Sequence, residues 1–141
     1  MSDCIFCKIS AGEIPSDKVY EDDKILVFKD LDPQAPVHVL MIPKKHITST
    51  DHLQEEDQEL MGYMMCKIKD IAKELGMDNG YRVVINCGED GMQTVKHLHI
   101  HILGKRTMKW PPGWVEFYGP ITRLKMKIKR KLKLIFKRTA T

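Results

Sequence analysis

The chain has 141 residues, 43% apolar and 30% charged, a balance that suits one globular domain with a real core and excludes a disordered chain. No apolar run reaches the length of a membrane span, and MSDCIFCKIS lacks the basic flank and long apolar core of a secretory signal. A cytoplasmic location is therefore expected, and the four cysteines read as thiols or metal ligands before disulfides.

The net charge of +4 averages two unlike segments. Residues 1–114 carry 14 Lys and Arg against 18 Asp and Glu, whereas residues 115–141 carry 9 against 1. This break divides the chain into a domain over 1–114 and a basic extension over 115–141.

In chain order, CIFCKISAGEIP (4–15) is a short apolar stretch ending in Gly and Pro, which predicts one or two helical turns. DKVYEDDKILVFKD (17–30) predicts two strands joined at Glu21-Asp22-Asp23. LDPQAP is a proline-punctuated loop, and VHVLMIP supplies a third strand from Val37 to Ile42. Met61, Met64, Met65, Ile68, Ile71, Ala72 and Leu75 then recur at helical spacing, with Glu55, Glu56, Asp57 and Glu59 at the start and Gly76 at the end. The methionines on this stripe read as core filler. GYRVVINCG (80–88) and KHLHIHILG (96–104) predict strands four and five, joined by the Gly-rich GEDGMQT. The short connections favour antiparallel pairing, so the expected class is α+β, a meander-like sheet packed against helix on one face.

KHLHIHILG holds half of the chain's six histidines. Strand periodicity turns His97, His99 and His101 to one side and Leu98, Ile100 and Ile102 to the other. Three readings stay open on the residues alone: a polar face on an edge strand, a three-His metal site, or a nucleophile with acid–base partners.

HLHIHIL, together with DLDPQAPVHVLMIPKKHI (30–47), GYRVVIN (80–86), DGMQTVKHLHIHILGKR (90–106) and WPPG (110–113), resembles the Hint branch of the histidine triad (HIT) superfamily. The resemblance runs from about Cys4 to Gly113. It implies a five-stranded antiparallel sheet with one long and one short helix, doubled to ten strands across a homodimer through the long helix and strand four. It also implies hydrolysis or transfer at purine nucleoside 5′-phosphoramidates or related AMP adducts.

In that mechanism His99 attacks the α-phosphorus and forms a nucleotidyl-histidine, which water resolves to the nucleoside monophosphate. The same resemblance gives His101 the phosphate oxygens or the leaving group's proton, and leaves His97 to orient the cluster. Asn86 and Thr94 fall near the phosphate with Gln93 close by, although all three also fit a polar turn. Asp30 matches the carboxylate that accepts the ribose hydroxyls. Ile5, Phe6, Ile9, Ile14, Phe28 and Leu31 match the apolar base slot, plain core being the other reading of each.

Cys-x-x-Cys alone is a weak signal. By resemblance to bacterial members, Cys4, Cys7, His46 and His97 would form a closed Cys₂His₂ set for a structural zinc, taking His97 out of the chemistry. No catalytic cofactor is then required. Cys66 and Cys87 have no partners at metal spacing and read as free thiols. His38 and His52 read as structural or solvent-facing, although His38 lies in the matching PQAPVHV segment close to the expected site.

WVEFYGPITRLKMKIKRKLKLIFKRTAT extends past the point where similar sequences stop. Ile121, Leu124, Ile128, Leu132 and Ile135 form a helical stripe among basic residues, a pattern for an anionic membrane or nucleic acid. An extension with no function is the other reading. Two rivals to phosphoramidate hydrolysis remain: dinucleoside polyphosphate hydrolysis, which the Trp-Pro-Pro-Gly ending counts against, and a nucleotide-binding interaction protein with its basic tail on membrane or RNA.

Overall fold

The computed structural model describes residues 3–112. The 1–114 boundary and the basic extension's role lie outside them. Residues 3–107 belong to one compact unit; of the second, which begins at Met108, only residues 108–112 are described.

The first unit contains α1 (Ile5–Ser10), β1 (Lys18–Glu21), β2 (Ile25–Lys29), β3 (Val37–Pro43), α2 (Gln58–Glu74), β4 (Tyr81–Val84) and β5 (Ile100–Gly104). All five strands pair antiparallel in the order β1-β2-β3-β5-β4. The sheet therefore departs from the expected meander. The chain leaves β3 through α2 to reach the far edge as β4, and β5 then returns into the gap between β3 and β4.

Both faces of the sheet are covered, which is why β2 and β3 read as unbroken apolar runs. Val27, Val39, Met41, Ile100 and Ile102 pack with Met64, Ile68 and Ile71 of α2. Leu26, Phe28, Leu40 and Ile42 turn to the other side and pack with Phe6 and Ile9 of α1. The expected stripe on α2 holds at Met64, Ile68, Ile71 and Ala72, whereas Met65 is exposed.

Before α2, the acidic run Glu55–Asp57 forms a 3₁₀ turn in which Asp57 accepts the Gln54 N–H at 2.9 Å. The other Asp57 oxygen lies 2.6 Å from Lys45 Nζ, which anchors the chain beside His46. Gly76, with φ +70°, turns the chain out of α2 as its position predicts.

At the β1–β2 turn, Asp22 accepts from Tyr20 and Tyr63 and from the N–H groups of Lys24 and Ile25. Burial alone would raise its carboxyl, but these donors, Tyr63 first, bring its pKa down to about 2. The β1–β2 turn is thereby tied to α2. No helix among the described residues is long and apolar enough to cross a membrane.

Candidate active site and metal cluster

The β5 ladder starts at Ile100, opposite Met41, so strand five is shorter than the predicted 96–104. Pro43, near the end of the pairing, has no N–H to continue the ladder, and the His97 ring takes its carbonyl at 2.8 Å. The Leu98 N–H goes to the Ile47 carbonyl instead, at 2.6 Å. The period of two survives this break. Leu98 joins the α2 core with Ile100 and Ile102, while His97 and His99, both buried, meet the Phe6 ring on the α1 side. Strand four likewise ends at Val84, opposite His101, rather than at Gly88.

Two groups of side chains, among the described residues, bring possible ligand atoms within 4.8 Å of one another. The first is Cys4, Cys7, His46 and His97. The Cys4 Sγ to His97 Nδ1 distance is 3.4 Å, and Cys7 Sγ lies 3.2 Å from His46 Nδ1 and 3.5 Å from His97 Nδ1. Tetrahedral zinc bound to sulfur and nitrogen sets donor–donor edges of roughly 3.3–3.8 Å, so these spacings fit the ion.

The tautomer fits as well. His97 Nε2 must donate to the Pro43 carbonyl, which leaves the Nδ1 lone pair free among the sulfurs. Cys4 also caps α1, accepting the Cys7 N–H through Sγ at 3.4 Å. Burial, then Cys4, push the Cys7 thiol up, and burial pushes the His97 pKa down. Low-dielectric thiols and a neutral imidazole are what a metal cation would relieve.

His99 lies between the groups. Its Nδ1 donates to the His97 carbonyl at 2.7 Å, so the neutral ring carries its lone pair on Nε2. The His101 ring centroid lies 5.0 Å away.

The second group is Asp30, His38 and His101. His38 Nε2 lies 2.9 Å from His101 Nδ1 and 3.4 Å from Asp30 Oδ2, and His38 Nδ1 receives the Gln34 N–H at 3.0 Å. The amide keeps Nδ1 as the bare nitrogen, which puts the His38 proton on Nε2 and leaves no lone pair there for a cation. This group is a set of hydrogen-bonded neutral rings, not a metal centre. Burial lowers the His38 pKa against the pull of Asp30 and Asp32. Burial, then His99 and His38, bring His101 to about 4. His38, set aside on sequence as structural or solvent-facing, is buried in contact with the triad; its place in the matching PQAPVHV segment was the signal available.

Among the other expected site residues, Phe6, Ile9 and Phe28 form one apolar cluster with Ile14 at its margin, and the Phe6 and Phe28 rings meet edge to face at 5.6 Å. Ile5 and Leu31 are exposed and stand outside that cluster. Asp30 spends one oxygen on the Asp32 N–H at 2.8 Å. Gln93 ties its own loop together, accepting from Gly88 at 3.2 Å and donating to Thr48 at 2.7 Å and Val95 at 3.1 Å. Asn86 is half-buried and Thr94 exposed. Cys66 is exposed and Cys87 half-buried, and neither belongs to the cysteine–histidine group.

A family model described as "Scavenger mRNA decapping enzyme C-term binding" matches residues 3–110. The chain is 53% identical over 111 residues to an uncharacterized HIT-like protein of Synechococcus elongatus, covering 79% of this chain and 97% of that protein. It is 50% identical over 114 residues to a 14 kDa zinc-binding protein of Zea mays, covering 79% and 89% respectively. Among solved structures, a HIT family hydrolase from Legionella pneumophila matches with a TM-score of 0.77 and 47% identity, over 79% of this chain and all of that one. With its histidine array on a five-stranded antiparallel sheet, and with these matches over nearly four-fifths of its length, the chain belongs to the histidine triad family.

Proposed function

We propose that the chain is a nucleotide hydrolase or transferase of the Hint branch, cleaving purine nucleoside 5′-phosphoramidates or related AMP adducts through a nucleotidyl-His99 intermediate. The observation that carries this reading is the His99 tautomer: Nδ1–H rests on the His97 carbonyl and the Nε2 lone pair is free. As Nε2 bonds to the α-phosphorus, the P–N bond breaks and the amine leaves with a proton. The His99 ring becomes cationic, which turns its bond to the carbonyl into a charge-assisted one. Water then attacks the phosphorus, releases the nucleoside monophosphate and restores the neutral ring. Asp30 fits the ribose hydroxyls, Phe6, Ile9, Ile14 and Phe28 one wall of the base slot, Ile5 and Leu31 its open rim, and Asn86 and Thr94 the phosphate. The hydrolase description of the Legionella neighbour is in keeping with this chemistry.

Cys4, Cys7, His46 and His97 would hold a structural zinc, which supplies a cross-link between the start of α1 and the two chain segments beneath it. The donor spacing and the zinc-binding description of the maize relative support that assignment. A cytoplasmic homodimer completes the reading, formed through α2 and the open edge at β4, where Met65 and Tyr81 expose apolar surface.

The test is AMP release from an adenosine phosphoramidate and from a diadenosine polyphosphate, by wild type and by His99→Ala. Turnover of the phosphoramidate with loss in the variant is expected. Turnover that survives the substitution overturns the nucleophile, and preference for the polyphosphate transfers the protein to the rival activity.

A further inference from the structure

One backbone amide, one buried ring and one half-buried ring form a line from the proline-punctuated loop into the site. The Gln34 N–H donates to His38 Nδ1, His38 Nε2 meets His101 Nδ1, and His101 Nε2 is buried with no hydrogen-bond partner among the described residues. An amide N–H can only donate, so His38 Nδ1 is bare and its single proton lies on Nε2. That proton goes to His101 Nδ1 at 2.9 Å, with Asp30 Oδ2 3.4 Å away, which leaves the His101 proton on Nε2. Both rings are neutral at pH 7 because burial lowers their pKa values. Arg106 braces the same residue from outside, with Nε 2.9 Å from the Gln34 carbonyl.

The line ends at a group that gives up no proton near neutral pH. If His101 surrendered Nε2–H to a leaving amine, His38 could refill it only by losing its own proton, and one ring would be left an imidazolate. Resting on the phosphoryl-transfer reading of this site, we propose that the Gln34 amide locks His38 and His101 in one neutral tautomer. His101 is thereby a fixed hydrogen-bond donor to a phosphate oxygen and not the acid that protonates the leaving group. Water supplies that proton, and the hydroxide it leaves is the oxygen that then attacks the phosphorus of nucleotidyl-His99 and restores the ring. Gln34 is a positioning residue acting through His38.

Two measurements test this. In side-chain ¹⁵N spectra of the wild type, His38 and His101 should each show a protonated Nε2 and a bare Nδ1; the reverse at either ring overturns the lock. Gln34→Ala keeps the amide and should keep those signals, whereas Gln34→Pro removes the N–H and should lose the single tautomer at His38. Signals unchanged in folded Gln34→Pro also overturn the lock.

The second measurement compares His101→Ala with wild type on an alkylamine phosphoramidate and on the p-nitrophenyl ester of the same nucleotide, whose leaving group needs no proton. A hydrogen-bond donor to a phosphate oxygen predicts losses of about 10²–10³-fold on both, equal within a factor of about five. A larger excess loss on the amine makes His101 an acid and overturns its assigned role. A wild type inactive on both substrates overturns the functional reading and with it that role, while the ring-nitrogen signals still decide the lock.

Discussion

Two clusters flank His99, each rich in groups that bind metals, and the backbone treats their histidines in opposite ways. In the cluster of Cys4, Cys7, His46 and His97, a carbonyl occupies one ring nitrogen of His97 and frees the other for a cation. In the cluster of Asp30, His38 and His101, an amide N–H occupies one ring nitrogen of His38 and forces a proton onto the other. Ligand spacing alone does not separate the two, because both bring their atoms within the same 4.8 Å. The nature of the backbone group behind each ring does. A fold can therefore keep a metal and a set of neutral hydrogen-bonding imidazoles a few residues apart on one segment without their exchanging roles.

The comparison breaks most visibly at the residue between the clusters. His99→Ala should reduce phosphoramidate turnover about 10⁴-fold or more and leave metal content unchanged, read by AMP release and metal analysis. Cys4→Ser should abolish stoichiometric zinc and also weaken the cap of α1, lowering Tm by about 10 °C or more. Zinc retained in that variant, but lost in His38→Asn, would reverse the assignment of the clusters.

Acid provides the next effect. The His101 pKa is depressed to about 4, so its stabilising contribution is complete above about pH 6.5 and is lost as pH falls towards 4. Urea unfolding across that range should show up to about 3 kcal/mol more loss for wild type than for His101→Gln. Equal slopes would contradict a ring held neutral in the folded state.

His38→Asn should cost about 10- to 100-fold in turnover with zinc stoichiometry intact, because His38 orients a ring that touches substrate. The smallest effect belongs to Arg106→Gln, which loosens the loop holding the Gln34 amide. It should lower turnover by less than about 10-fold, since a single exposed hydrogen bond contributes about 1 kcal/mol. A larger loss would make that brace part of the site's support.

The histidine alternation was legible because a period of two is local, and it survives even where the ladder stops before Ile100. The helical stripe and Gly76 were legible for the same reason. The cysteine pair required the resemblance to find its histidines, because His46 and His97 lie 39 and 90 residues from Cys7. The matching segment brought His38 close to the site, but its ring partner was hidden because it lies 63 residues away. The strand order was hidden too. A short loop predicts that β4 and β5 pair, but not that β5 enters the middle of the sheet. The exposure of Leu31 could not be read from a proline loop, where an apolar residue has no periodicity to betray its direction.

The central place of β5 also bears on when activity can arise. As the last strand among the described residues it pairs with β3, begun some sixty residues earlier, and with β4 at once. Its closure is a late, non-local event whose loop entropy must be offset by the two neighbours it joins. A nascent or partly folded chain can already form the β1–β2–β3 hairpins, yet it has no array until that strand slots in. The segment that carries the histidine array is thus the keystone of assembly, and a chain stopped before it would lack the array altogether.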